Sequence, residues 1–318
     1  MTECKLRVAT RKSALALAQT TMAADAIVAV NPGLSYELVS MTTEGDRRLD
    51  KSLASFGGKG VFIKELEVAL LDGRADIAVH SLKDMPAEVL PEFKLAAVLK
   101  REDPRDAFIA RGGVDGIKFM DLPAGARVGT GSIRRVVQLK ALRPDLEYVP
   151  IRGNIQTRLS KLAELDAVVL AAAGLKRMGL DDQVTEYFST EQMLPASGQG
   201  ILAIETLNLS SLVCRTEGPF SRLGEILAPI NDPATFCIAV AELAYLKALN
   251  AGCQFPVASF AEFSDATTLA LRGIYWDESS KRLLRAQVSQ PLDARVADSV
   301  AQARAAGFAL AQKIREQL

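Results

Sequence analysis

The sequence predicts an α/β protein of two layered domains joined by a double crossover, followed by a smaller α+β domain. Three observations carry this. From residue 6 to residue 205, short β-rich runs alternate with longer segments of helical period, the signature of layered strands and helices. Two proline-containing stretches, 100–105 with Pro104 and 194–200 with Pro195, Gly198 and Gly200, interrupt this alternation and read as crossings between domains, which implies a hinge. After Thr206 the pattern changes to a loop-rich stretch with Gly218, Pro219, Pro229 and Pro233, then a helix, about three strands and a terminal helix over 293–317.

In chain order, strands are predicted at 6–10, 36–42, 77–80, 95–99, 107–110, 127–129, 148–151, 168–170 and 201–205. Helices are predicted at 14–30, 61–71, 133–142, 155–165 and 171–178, where apolar residues recur with helical spacing. Ser13 and Asn154 stand before two of them, where a side-chain oxygen can accept from a free backbone N–H. A strand, a polar turn with arginine and a helix recur around Arg11, Arg134 and Arg152, as a recurrence of βα units without a repeated sequence.

The 318 residues include 38 basic and 38 acidic side chains, so bulk attraction to nucleic acid or an anionic membrane is not expected, although local arginine clusters can still hold anions. The apolar run 167–175 is far shorter than the roughly 20 residues that span a bilayer. Lys5, Arg7, Arg11 and Lys12 precede an apolar stretch that Gln19, Thr20 and Thr21 end too early for a signal peptide, so a cytoplasmic location is expected. Cys4, Cys214, Cys237 and Cys253 form no Cys-x-x-Cys pair, and neither a disulfide framework nor a metal site is expected.

A single histidine, His80, and the absence of a Gly-x-Ser-x-Gly elbow argue against Ser-His-Asp hydrolysis. His80 lies where the apolar run 77–80 passes into Ser81, Lys83, Asp84 and Pro86, which reads first as a strand end with Lys83 and Asp84 solvated and otherwise as the strand-end position at which α/β proteins bind ligands. Over 128–135, Val-Gly-Thr-Gly-Ser-Ile-Arg-Arg approaches a dinucleotide-binding turn, but Arg134 occupies the third glycine position. What remains is a glycine-bracketed helix start with Ser132, Arg134 and Arg135, suited to carboxylate or phosphate. Arg152 and Arg158 flank a similar start, Arg11 and Ser13 a third, and Lys59 sits in the glycine loop 55–60. Each alone reads first as a solvated helix start; together they favour a polyanionic ligand in an interdomain cleft.

These segments, in this order, resemble the porphobilinogen deaminase family. The resemblance covers roughly 7–261 and rests on the motifs at 7–13, 57–67, 75–86, 101–106, 152–154, 194–200 and 252–254. It implies two α/β domains like those of periplasmic binding proteins, residues 1–101 with 199–222 and residues 102–198, and a cofactor-attachment domain over 223–318. It implies a monomeric transferase of tetrapyrrole and heme biosynthesis that joins four porphobilinogen molecules head to tail, with loss of ammonia, to give hydroxymethylbilane. A dipyrromethane cofactor attached by a thioether to Cys253 is implied as the primer. Asp84 matches the family's catalytic aspartate, and Lys83, Ser132, Arg134 and Arg135 match its cofactor-binding positions. Arg11, Ser13, Lys59, Arg152, Arg158, Arg177 and Gln199 match positions that bind substrate.

Five departures accompany the resemblance: Gly131 stands where many relatives have a second serine, Ser55 where some have lysine, Leu243 in place of arginine, Asn250-Ala251 in place of an acidic residue and glycine, and the link from Glu205 to Cys253 is longer than usual. The competing readings are a non-catalytic binder of a small polycarboxylate, which needs neither Asp84 nor Cys253, and a transcription-factor effector domain, for which no DNA-binding helix pair is recognisable.

Overall fold

The computed structural model describes residues 4–43, 63–208, 223–251, 255–296 and 298–318. The chain forms two compact units: residues 1–101 with 201–236, and residues 102–200 with 237–318.

In the first unit, β1 (Cys4–Arg11), α1 (Ala14–Ala29), β2 (Leu34–Met41), α2 (Lys64–Leu71), β3 (Ile77–Ser81) and β4 (Phe93–Val98) are joined by β10 (Leu202–Leu207). The sheet order is β2-β1-β3-β10-β4. β1 runs parallel to β2 and β3, whereas β10 is antiparallel to both of its neighbours. Alternation along the strands decides which helix covers which face. Leu6, Val8, Ile77 and Val79 pack under Ala23, Ala24 and Ile27 of α1, while Ala9 and Ala78 face Leu66 and Leu70 of α2.

The second unit repeats this plan. β5 (Asp106–Ala110), β6 (Arg127–Gly129), α3 (Ile133–Leu142), β7 (Glu147–Val149), α4 (Ile155–Ser160), β8 (Ala167–Ala171), α5 (Ala172–Arg177) and β9 (Glu186–Tyr187) build a sheet of order β7-β6-β8-β5-β9. β6 is parallel to β7 and β8, and β5 is the reversed strand. One face buries Phe108, Val128 and Val169 under Leu139 of α3, and the other buries Ile109, Val168 and Leu170 against Leu175 of α5. Phe108, Phe119 and Phe188 meet edge to face, with centroids 5.2–6.2 Å apart.

Beyond α6 (Leu223–Leu227) and α7 (Pro233–Ala248), the strands β11 (Val257–Asp265), β12 (Thr268–Asp277) and β13 (Arg282–Pro291) form an antiparallel meander, closed by α8 (Ser299–Arg315). α8 crosses α7 at Gly307, where an added Cβ would lie 2.3 Å from the Ala241 carbonyl oxygen, so only glycine permits this approach. Among the described residues no single helix is long and apolar enough to cross a membrane.

The expected α/β alternation, the two crossings and the smaller α+β region are all observed. Differences are local. The helix expected over 155–165 ends at Ser160 and tightens into a 3-10 turn, Lys161–Ala163. The terminal helix starts at Ser299, not at 293. The strand expected at 95–99 is Phe93–Val98, and the two-residue β9 had no sequence signal. The helix expected over 61–71 is observed from Lys64, its first three residues being Val61 and Phe62, outside the described residues, and Ile63.

Candidate functional site

In each five-stranded sheet the central parallel strand has neighbours reached through helices on opposite faces, the arrangement that places ligand sites at the carboxyl ends of β1 and β3, and of β6 and β8. The first unit brings Arg11, Ser13, Lys83 and Asp84 to such an end. Arg11 closes β1, and Ser13 caps α1, its Oγ accepting from the Ala16 N–H at 3.3 Å. Lys83 and Asp84 lie in the 3-10 turn Leu82–Asp84 directly after β3, fixed by the Leu82 N–H donating to the Ile201 carbonyl at 3.0 Å. Asp84 is exposed and Lys83 half-buried. Behind them, His80 Nε2 lies 3.0 Å from Glu205 Oε2, both residues buried, so the only histidine is a packed partner of a carboxylate in β10.

The second unit brings Ser132, Arg134, Arg135, Arg152, Arg158, Arg177 and Gln199 to the corresponding end of its sheet. Gly131 and the half-buried Ser132 connect β6 to α3, and a Cβ on Gly131 would lie 2.6 Å from the Ile151 carbonyl oxygen. The absent serine is therefore a requirement of this backbone approach. Asn154 caps α4, accepting from the Thr157 N–H at 2.8 Å, and the half-buried Arg158 donates from Nε to the Gly153 carbonyl at 2.9 Å. Arg152 is exposed. Arg177, at the end of α5, donates to the Gly200 carbonyl at 2.6 Å; burial brings its pKa down to about 10, against the pull of Glu102, and its Nε has no hydrogen-bond partner.

Arg134 and Arg135, expected as helix-start anion binders, are both buried in the first turn of α3 and converge on Asp106. Arg134 holds both carboxylate oxygens, at 2.7 and 3.1 Å, and Arg135 donates to Oδ1 from Nε at 3.0 Å and from Nη2 at 2.8 Å. Gln199 adds a bond to the same oxygen at 3.0 Å and another to the Pro104 carbonyl at 2.7 Å. Burial opposes ionisation of Asp106, but the two guanidiniums outweigh it and hold the carboxyl well below the usual carboxylate range. Two cations against one anion leave a surplus positive charge, and Arg134 Nε, also buried, has no partner. Such a donor set fits an anionic group of carboxylate type, as the two-carboxylate pyrroles of a dipyrromethane require.

Lys59 and Cys253 lie outside the described residues. Sequence reasoning missed Asp106 as a member of this cluster. The available signal was an acidic residue opening the buried apolar strand 107–110.

The architecture and its arginine-lined strand ends fit the class of α/β proteins that hold small anions. Residues 6–213 match the family described as porphobilinogen deaminase, dipyromethane cofactor binding domain, and residues 236–316 match porphobilinogen deaminase, C-terminal domain. The chain is 46% identical over 290 residues to the porphobilinogen deaminase of Stenotrophomonas maltophilia (strain K279a), covering 90% of each. To that of Sorangium cellulosum (strain So ce56) it is 47% identical, covering 92% of this chain and 95% of the relative. To that of Syntrophotalea carbinolica it is 43% identical, covering 99% and 93%. The chain belongs to the porphobilinogen deaminase family. It is a transferase of tetrapyrrole biosynthesis with a dipyrromethane cofactor, and a non-catalytic binder is not favoured.

Proposed function

We propose that, in joining four porphobilinogen molecules into hydroxymethylbilane, this chain uses Asp84 as its catalytic group and holds the dipyrromethane through a thioether to Cys253. Lys83, Ser132, Arg134 and Arg135 would hold the cofactor's carboxylates. Arg11, Ser13, Lys59, Arg152, Arg158, Arg177 and Gln199 take the acetate and propionate of porphobilinogen. The observation that carries this reading is the surplus positive charge of the Arg134, Arg135 and Asp106 cluster, with a buried guanidinium N–H left unused.

When bound, the dipyrromethane supplies the primer pyrrole to which the substrate units are joined. Arg11, at the carboxyl end of the same sheet as Asp84, takes a carboxylate of porphobilinogen and so orients its aminomethyl group toward the Asp84 carboxylate. Asp84 stabilises the positive charge that develops on the substrate as ammonia leaves, and its oxygens pass protons between the leaving amine and the attacking pyrrole carbon. A thiolate is the strong soft nucleophile needed to form a thioether, which a hydroxyl at neutral pH does not replace. Balanced charge, 38 basic against 38 acidic residues, is in keeping with a small-molecule substrate and no nucleic-acid partner.

Intact mass spectrometry tests the attachment. Protein from porphobilinogen-producing cells is expected to carry the added mass of two linked pyrroles, absent from Cys253→Ser and retained in Cys4→Ser, Cys214→Ser and Cys237→Ser. Unmodified, fully active wild-type protein would overturn it.

A further inference from the structure

We infer that Asp106 is a positioning residue for the reaction: a buried carboxylate that aims the Arg134 and Arg135 guanidiniums at ligand carboxylates. The inference rests on the reading of those two arginines as carboxylate holders.

The argument begins with strand direction. β5 runs antiparallel to β8, so its first residue, Asp106, lies beside the last residue of β8, Ala171. Had β5 run parallel, its first residue would lie at the opposite end of the sheet from the arginines of α3. The reversal therefore delivers an acidic side chain to the carboxyl end of the sheet, the one place where this carboxylate can meet helix-start arginines.

The contacts then fix both guanidiniums. Asp106 Oδ1 receives both Nε and Nη2 of Arg135, together with Nη2 of Arg134 and the Gln199 amide, while Oδ2 receives Nη1 of Arg134. The remaining anchors are backbone carbonyls, Leu194 for Arg134 at 2.7 Å and Val169 for Arg135 at 2.9 Å. A planar guanidinium held on two sides has no rotational freedom left, so the direction of its unused N–H groups is set before any ligand arrives. Gln199 is placed in turn by its crossover segment. The neighbouring Gly198 N–H donates to the buried Glu242 carboxylate at 2.5 Å, and Glu242 also accepts from the Ala261 N–H at 2.8 Å. The cluster is thus braced from α7 and β11 as well as from its own sheet.

Asp106→Asn, purified with its cofactor, tests this. The amide keeps the volume but loses the charge and one acceptor, so turnover per cofactor-loaded molecule is expected to fall on the order of 10-fold to 100-fold, the loss typical of ångström-scale misplacement. The Arg134 and Arg135 Nε–H nuclear magnetic resonance signals, assigned by Arg134→Lys and Arg135→Lys, are expected to be slow-exchanging in the wild type and to broaden in Asp106→Asn. Asp103→Asn, which removes a nearby carboxylate paired with Arg105 and Lys176, is the control and is expected to leave turnover per loaded molecule unchanged. A loss in Asp106→Asn that disappears once corrected for folded, loaded protein, with unaltered Nε–H signals, would overturn the positioning role. If Arg134→Lys and Arg135→Lys lower turnover but Asp106→Asn does not, the inference about Asp106 fails alone. If neither arginine variant lowers turnover, the reading of the arginines fails first.

Discussion

In the proposed function the residue that separates turnover from mere binding is Asp84, exposed in a three-residue turn at the carboxyl end of β3. Asp84→Asn keeps the size and removes the charge and the proton acceptor, so ammonia release is expected to fall by about 10²-fold or more while the fold and the porphobilinogen affinity persist. Asp84→Glu should retain more activity if reach is tolerated. Single-turnover ammonia assays decide the matter, and near-normal release from the Asn variant would assign the charge stabilisation elsewhere. The strand end that carries Asp84 and the caps Ser13 and Asn154 were legible because strand ends and caps are local features written in adjacent residues. Asp106 was not, because its partners Arg134 and Gln199 stand 28 and 93 positions away and meet it only through the order of the sheet. The same folding buries Arg134 and Arg135, which the sequence offered as helix-start cations, either solvated or holding an anion.

Among the elements, those with strong period or buried apolar runs matched expectation to within a few residues: α1, α3, β5 and β8. Elements defined by their partners escaped. β9 exists only as two residues paired with β5, and the segment after Ser160 keeps apolar Leu162 against the core while its backbone tightens. The α7–α8 crossing belongs to this second class, since its closeness depends on two segments far apart in sequence. Gly307→Ala would raise the helix propensity of α8 yet place a methyl against the Ala241 carbonyl and the Ala244 side chain. The steric cost is expected to win, with a net destabilisation of about 1–3 kcal/mol in urea or thermal melts. A stabilised variant would show that the two helices separate readily.

At the scale of the whole molecule, the shifted carboxylates of the two units should respond to acid with opposite signs. In the second unit, Glu102 is held low mainly by the Asp103 N–H, Asp103 by Arg105 despite its burial, and Asp106 by its two arginines despite its own. Groups depressed on folding contribute stability above about pH 4, and this is lost as pH falls through their folded values. In the first unit, burial pushes Glu67 up, with Glu205 adding to the rise, so protonation favours the folded form and falling pH relieves a strain. Hydrogen exchange during acidification from pH 6 to 3 should therefore show residues 106–110 and 167–171 losing protection before residues 77–81 and 202–207. Loss in the reverse order would contradict this assignment. The two reversed strands also dictate an order of manufacture. β4 pairs with β10 alone, so as the chain leaves the ribosome the sheet begun by its first residues has a strand without a neighbour until residue 207 has emerged. The sheet of the second unit has all five of its strands by residue 187. Of the two five-stranded sheets, the one started first is thus completed second, and for some twenty residues of synthesis a finished sheet follows an unfinished one.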